Sequence, residues 1–94
     1  MRILWHPLAT EDLAELMTYI ARDKPEAAYR MLDEIKTQTS ILAAHPDAGR
    51  MGRISGTREL VITGTPYIAS YRISREVITI LRLLHGARRW PSAL

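Results

Sequence analysis

At 94 residues the chain has the length of one domain with one modest core, which excludes a two-domain protein. Its composition, 47% hydrophobic and 24% charged, is ordinary for a globular protein, and no apolar run is long enough to span a bilayer. The absence of cysteine excludes a disulfide framework and a thiolate metal site. We therefore expect a single cytoplasmic domain over residues 1–94 that uses no metal and no cofactor and has no membrane partner.

The positive charge, +3 overall, is concentrated in the second half of the chain. Residues 1–47 carry five Lys or Arg against eight acids, a net charge of −3. Residues 48–94 carry eight Arg and no Lys against two acids, a net charge of +6. Because arginine is a planar donor suited to phosphate and carboxylate groups, this half indicates a nucleic acid or an acidic protein as partner.

The first half predicts one strand followed by two helices. The short apolar run Arg2–Trp5 ends at a His-Pro pair and is typical of a strand. Residues 8–22 and 25–44 each carry apolar side chains at the i, i+3, i+4, i+7 spacing of a helix with one buried face. The short connection between them contains a proline, which predicts an antiparallel helical hairpin.

Residues 48–56 interrupt this pattern. Three glycines, together with Arg50 and Arg53, predict a flexible basic loop in which the backbone could approach a ligand and the arginines could reach a phosphate. A solvated connection between the helices and the sheet is an equally good interpretation, because the segment lacks the lysine and hydroxyl residue of a phosphate-binding fingerprint.

The second half predicts three further strands. Residues 57–63, 67–73 and 77–84 are rich in β-branched and aromatic residues, and turns separate them. Such neighbouring strands form an antiparallel meander. The predicted fold is therefore α+β with the order β-α-α-β-β-β, in which the helical hairpin packs on one face of a small antiparallel sheet.

Alternation along residues 67–73 predicts which face of the sheet the helices cover. The set that contains Tyr67 and Tyr71 is the better candidate to lie beneath the helices, so Arg72 should project from the open face. A charged side chain whose only role is contact with solvent is not expected in the middle of a sheet face. Arg72 is therefore the first candidate for a functional residue.

The register of the last strand stays open, because both of its alternating sets are mostly apolar. A two-residue turn before this strand would bring Thr79 and His85 to the face of Arg72. A longer turn would bring Arg82 there. The sequence leaves open which of these side chains shares the face of Arg72.

These positions predict an arginine-lined sheet face as the functional site. Arg72 and Arg88, with Arg82 in one register, form its centre. Five further residues are candidates for binding the target: Arg50, Arg53, Arg58, Arg89 and Trp90. The alternative for Arg72 is a plain ion pair with Glu59 across the sheet.

Two residues near the C-terminus add other chemistry. Histidine is the side chain best suited to exchange a proton near neutral pH, so His85 could act as an acid or base, although a lone histidine at a strand end is more often structural. Trp90 could stack on a nucleic-acid base, or it could cap the edge of the core.

Taken together, these residues resemble the RelE/ParE superfamily of bacterial type II toxin–antitoxin toxins, and the resemblance covers nearly the whole chain. In the first half the shared marks are Ala9, Asp12-Leu13, Tyr19-Ile20, Pro46 and Gly49-Arg50. In the second half they are Gly56-Thr57-Arg58-Glu59-Leu60, Pro66-Tyr67-Ile68, Tyr71-Arg72, Leu84-His85-Gly86-Ala87-Arg88 and Trp90-Pro91. The marks are specific as a set through their order and spacing, and the family implies the same order of strands and helices.

The superfamily implies two mechanisms. RelE-like toxins are ribosome-dependent endoribonucleases that cleave mRNA in the A site and leave a 2′,3′-cyclic phosphate. ParE-like toxins inhibit DNA gyrase and need no catalytic site. An antitoxin that wraps the toxin neutralises both kinds, so a cognate antitoxin in a hetero-oligomer is an expected partner.

For mRNA cleavage the resemblance gives Arg72, at the family's Tyr-Arg strand position, the role of stabilising charge on the phosphate. Arg88 matches the arginine after the last strand and would be a second clamp, and His85 is the one near-neutral group at hand. RelE-like nucleases often add a lysine pair and a C-terminal tyrosine, whereas this chain offers arginines in the first region and no late tyrosine. Arginine is a poor general base because its pKa stays above ~12.

We therefore expect a toxin that arrests growth. The first expectation is a catalytic one, a ribosome-dependent endonuclease that acts on the ribosome and mRNA, and the arginine-rich half favours it. The alternative is a ParE-like inhibitor of DNA gyrase with no catalytic site, which the missing acid–base pair favours. A nucleic-acid-binding module without toxicity is a third interpretation.

Overall fold

The computed structural model describes residues 1–94, and its elements follow the predicted order. The first strand is followed by two helices, a 3₁₀ turn at Ile41–Ala43 and four further strands. The bounds are β1 Arg2–Trp5, α1 Pro7–Ala21, α2 Pro25–Ser40, β2 Arg50–Met51, β3 Arg58–Val61, β4 Tyr67–Ser74 and β5 Val77–His85. Neither helix is both long enough and apolar enough to cross a membrane.

The five strands form one sheet in the order β1-β5-β4-β3-β2, and both helices pack on one of its faces. β3, β4 and β5 form the predicted antiparallel meander, so the α+β fold is confirmed. Two details differ from the prediction. β1 runs parallel to β5, which makes the sheet mixed, and β2 adds a short edge strand inside the predicted loop. The sequence around β1 and β2 predicts neither of these pairings, because pairing between distant segments depends on the tertiary path of the chain.

Each helix begins at a proline. Pro7 and Pro25 lie at the start of α1 and α2, where the missing N–H has no partner to lose. His6 caps α1, because its Nδ1 accepts the backbone N–H of Leu8 at 3.1 Å. The second helix ends at Ser40 instead of residue 44, and the chain tightens into the 3₁₀ turn before it leaves the core.

Tyr71, in the middle of β4, is the largest side chain that the core buries completely. Its hydroxyl donates to the carbonyl of Pro46 at 2.7 Å and accepts the N–H of Gly49 at 2.9 Å. Burial raises the pKa of this hydroxyl, which keeps it protonated as a donor. A Cβ at position 49 would lie 2.6 Å from Cε1 of the ring, so only glycine fits there. Tyr71 therefore fixes the segment that leads from α2 to the basic loop.

The β4–β5 hairpin has a two-residue turn, because Ser74 pairs with Val77. Arg72 lies opposite Thr79, as a two-residue turn predicts. Beyond this pair a β-bulge shifts the register, so that His85 pairs with Tyr67 on the face that the helices cover. The prediction that this turn brings His85 to the face of Arg72 is therefore wrong, because an unpaired residue in β5 reverses the alternation.

We predict that Tyr71→Phe lowers the free energy of unfolding by about 1–3 kcal/mol, since it leaves the buried N–H of Gly49 and the partly buried carbonyl of Pro46 without a partner. Urea unfolding followed by circular dichroism measures the change. The control is Tyr29→Phe, because Tyr29 is 72% exposed on α2, and we expect it to stay within about 0.5 kcal/mol of the wild type. Equal stabilities of the two variants would contradict the anchoring role of Tyr71.

Candidate functional site

The open face of the sheet is organised around Glu59. This carboxylate lies on β3 opposite Ser70 of β4, and its side chain is only 2% exposed. Arg50 reaches Oε1 with Nη2 at 3.0 Å and with Nε at 3.3 Å. Arg53 donates to Oε2 through its backbone N–H at 2.7 Å and through Nε at 3.1 Å. One buried acid therefore holds two arginines of the predicted basic loop.

Burial alone would raise the pKa of Glu59, but the hydrogen bonds from the backbone and side chain of Arg53 and from Arg50 lower it below the ordinary range. The carboxylate consequently stays charged at neutral pH, and the group of three carries a net charge of +1. The arginine side chains remain 57% and 40% exposed, so their outer edges are accessible to a partner. The ion pair between Arg72 and Glu59, considered above as an alternative, does not form, because Arg50 and Arg53 occupy the carboxylate.

Trp90 attaches the C-terminal segment to this group. The guanidinium carbon of Arg53 lies 3.6 Å from the centroid of the Trp90 ring, within the range of a cation–π contact. The indole Nε1 donates to the carbonyl of His85 at 3.1 Å. Arg53 is thus held between a carboxylate and an aromatic ring, which fixes its orientation more tightly than that of an ordinary surface arginine.

Arg72 is the least restrained of the predicted residues on the open face. Its side chain is exposed, and its Nε lies 3.4 Å from the carbonyl of Gly56. The three ion pairs of the structure join other residues, so Arg72 has no carboxylate within 4.0 Å. Its guanidinium is available for an anionic group of a partner.

Two predicted binding residues are engaged in the fold itself. Arg58 donates from Nη1 to the carbonyl of Gly49 at 2.8 Å, on the side of Tyr71. Arg82 makes a bidentate contact with Asp12 of α1, with Nε at 2.7 Å and Nη2 at 2.9 Å, and this contact raises the pKa of Arg82. Both contacts hold segments of the chain together. The register pairs Arg82 with Ser70, two residues before Arg72 on β4, but Asp12 engages the guanidinium of Arg82.

The role of Asp12 was not predicted, although the sequence contains a signal for it. Asp12 follows Ala9 by three residues and precedes Leu16 by four, so the helical spacing puts it on the buried stripe of α1. Its carboxylate also accepts the N–H of Leu83 at 3.0 Å. An acid on an apolar stripe needs a partner, and Arg82 provides the charge.

The remaining candidates line a cleft of about 890 Å³ between α1 and the end of β5. The lining residues include Glu15, Arg22, His85, Arg88, Arg89 and Trp90. Arg88 and Arg89 are exposed and form no ion pair. The cleft therefore presents an arginine-rich wall that faces a helix with both acidic and basic side chains.

His85 holds the turn that follows β5. Its Nδ1 accepts the N–H of Ala87 at 3.1 Å, and its ring meets that of Tyr67 edge to face at a centroid distance of 5.6 Å. Arg72 lies five residues beyond Tyr67 on β4 and on the other face, a separation of roughly 16 Å along the strand. The structure does not bring Arg72 together with His85. No group of three His, Asp or Glu side chains is positioned to hold a metal ion.

We predict that Glu59→Gln lowers the free energy of unfolding by about 1–2 kcal/mol at neutral pH, a modest value because both arginines are partly exposed. The pKa of Glu59 is lower in the folded state, so its stabilising effect is present above the ordinary glutamate pKa and is lost as the pH falls through the folded pKa. Urea unfolding in neutral and acidic buffers should show the difference from the wild type shrinking toward low pH. Asp33→Asn, at an exposed position of α2, serves as the control, and a pH-independent difference for Glu59→Gln would contradict the assignment.

Comparison with known proteins supports the resemblance that the sequence suggested. The family model described as the ParE toxin of the type II toxin–antitoxin system, parDE, matches residues 3–90. "Putative toxin Y4kP" of Sinorhizobium fredii is 46% identical, over 99% of this chain and 96% of its own length. "Toxin RelE2" of Caulobacter vibrioides is 34% identical, over 93% of this chain and 97% of its own length.

The fold leads to the same family. A solved structure described as "Chromosomal ParDE TA system from P. aeruginosa" superposes with a TM-score of 0.81 at 29% identity and covers 88% of this chain and 92% of that chain. The family match extends over almost the whole sequence, and the matched residues 3–90 include every candidate residue described above. The chain therefore belongs to the RelE/ParE superfamily, as a ParE-family toxin of a type II toxin–antitoxin system.

Proposed function

We propose that this toxin arrests growth by binding DNA gyrase and that it performs no catalytic step of its own. The observation that carries the proposal is the separation of Arg72 from His85. Cleavage of RNA requires a base at the 2′-OH, a cation at the phosphate and an acid at the leaving oxygen, all within hydrogen-bond reach of one phosphate group. Their backbone positions lie roughly 16 Å apart along β4 and on opposite faces of the sheet, which argues against Arg72 and His85 sharing one phosphate.

Three of the other predicted residues are already engaged within the fold, which favours binding over catalysis. Arg58 and Arg82 use their donors within the fold, and Arg53 is held by Glu59 and Trp90. Rigid arginines with exposed outer edges suit recognition of a carboxylate or phosphate surface, because little side-chain freedom is lost on binding. The match to the ParE family model supports the same mechanism, since ParE-like toxins act on gyrase.

Membership of the family implies a neutralising antitoxin as a partner. The antitoxin sets a practical condition for any experiment, because the toxin is active only when it is free of that partner. Induction of the toxin alone, or removal of the antitoxin before an assay, is therefore the starting point for both measurements below.

Cleavage of mRNA on the ribosome is the second candidate function. It is favoured by the free guanidinium of Arg72, which could stabilise charge on a phosphate, and by relatives named "Toxin RelE2" and "Toxin RelE3". In this mechanism the proton transfers would need groups that lie outside the open face. The same experiments distinguish the two candidates.

We expect the purified toxin to inhibit supercoiling by gyrase and to accumulate cleaved gyrase–DNA complexes. We expect mRNA in a translating extract to remain intact at the same toxin concentration. In cells, induction should cause filamentation and an SOS response before protein synthesis falls. Cuts at codon positions in mRNA, with supercoiling unaffected, would overturn the proposal in favour of the nuclease.

A substitution at His85 provides a second test. His85→Gln keeps a hydrogen-bond acceptor for the turn after β5 but removes the imidazole that could transfer a proton. We expect its toxicity to stay within about threefold of the wild type, since binding does not use proton transfer. General acid–base catalysis contributes about 10²–10⁴-fold, so a loss of that size in a folded variant would indicate a nuclease. His45→Gln, at an exposed position after the 3₁₀ turn, is the matched control.

A further inference from the structure

The tip of the β4–β5 hairpin has an unusual backbone for the residues it contains. Arg75 and Glu76 form its two-residue turn with φ values of 51° and 65°. Two successive positive φ angles are typical of a type I′ turn, for which Asn-Gly is the preferred sequence. Long charged side chains in this region of φ and ψ are strained, because Cβ approaches the neighbouring carbonyl oxygen.

Elsewhere the chain uses glycine where the backbone requires positive φ. Gly56 has a φ of 79° and Gly64 a φ of 83°, and both lie in loops. Arg75 and Glu76, at the hairpin tip, are the non-glycine residues of the chain that have a positive φ. Backbone strain of this kind persists mainly where a side chain serves a function.

The strands around the tip bring further arginines to the same side of the sheet. Arg2 pairs with Val77, and Arg72 pairs with Thr79, which puts both arginines on the open face. Leu4, the neighbour of Thr79 on β1, is 44% exposed on that face. The tip surface is thus defined by five residues: Arg2, Leu4, Arg72, Arg75 and Glu76.

The charges of the tip surface are not used within the fold. Arg2, Arg72, Arg75 and Glu76 are all exposed, and none belongs to the three ion pairs of the structure. By contrast, Arg50, Arg53 and Arg82 each have a carboxylate partner. Arg2, Arg72 and Arg75, which have no carboxylate partner, lie at one end of the sheet and offer a positive surface to a second molecule.

We propose that the tip surface docks onto a surface of the protein target that offers acidic groups to the arginines and a basic group to Glu76, with Arg75 and Glu76 as the residues that determine specificity. This inference rests on the proposed function, in which the toxin acts by binding gyrase. A protein partner fits better than a nucleic acid, because Glu76 lies among the arginines and would repel a phosphate backbone. The exposed Leu4 adds apolar area, and protein interfaces combine apolar and arginine contacts in this way.

The test replaces the tip with the sequence that the turn prefers, Arg75→Asn with Glu76→Gly. Because this substitution relieves both strained residues, we expect the melting temperature to rise by roughly 4–8 °C. We expect the concentration that half-inhibits gyrase to increase at least tenfold. A more stable protein with weaker inhibition cannot be explained by loss of the fold.

Two single substitutions complete the design. Arg30→Asn, at an exposed site on α2, is the control for loss of a positive charge and should leave inhibition unchanged. Glu76→Gln removes the acid of the tip, and we expect weaker inhibition because a contact to the protein target is lost. Stronger inhibition by Glu76→Gln would indicate a nucleic-acid partner and would overturn the proposal.

The outcomes separate this inference from the proposed function. If the wild type inhibits gyrase and the Asn-Gly variant inhibits it equally well, the tip is not the docking surface while the proposed function stands. If the wild type does not inhibit gyrase at all, the proposed function fails, and the assignment of the tip as its contact fails with it.

Discussion

The buried hydroxyl of Tyr71 is the contact on which the arrangement of the basic residues depends. It lies at the centre of β4, and it holds the carbonyl of Pro46 and the N–H of Gly49 at the point where the chain leaves the helices. β2 begins at Arg50, directly after Gly49, so this contact holds the chain at the start of the arginine loop. A polar group inside an apolar core is stable only when its hydrogen bonds are satisfied, so the core and the loop depend on each other.

On the open face, Glu59 orients the arginines of the loop that Tyr71 anchors. Its burial would be unfavourable without the surrounding donors, and the guanidinium and backbone N–H groups of Arg53 together with Arg50 offset that cost. The arginines are consequently oriented by the fold before any partner binds. Trp90 adds a further contact to Arg53 and ties the C-terminal segment to the same group. The open face is a preorganised charged surface, which suits recognition more than proton transfer.

A single β-bulge separates the residues that a nuclease would have to combine. With regular alternation a two-residue turn would have put His85 on the face of Arg72. The extra residue of β5 turns His85 toward Tyr67 instead, next to the cleft beside α1. The same hairpin ends in a strained, charged turn. A bulge changes the direction of the side chains that follow it without changing the order of the strands. Here it divides the predicted site into the open face around Arg72 and the cleft beside α1 that His85 lines.

The sequence by itself determined the fold class, the two helices, the meander and the family, because hydrophobic periodicity, proline positions and motif spacing are local properties. It also predicted that Arg72 projects from the open face, but it left open whether Arg72 pairs with Glu59. The tertiary structure alone decided the partners of the other arginines, the parallel pairing of β1 with β5 and the side to which His85 points. These features depend on a bulge and on contacts between residues far apart in the sequence, such as Arg82 with Asp12, which are 70 positions apart. Local patterns carry no information about pairing at that distance.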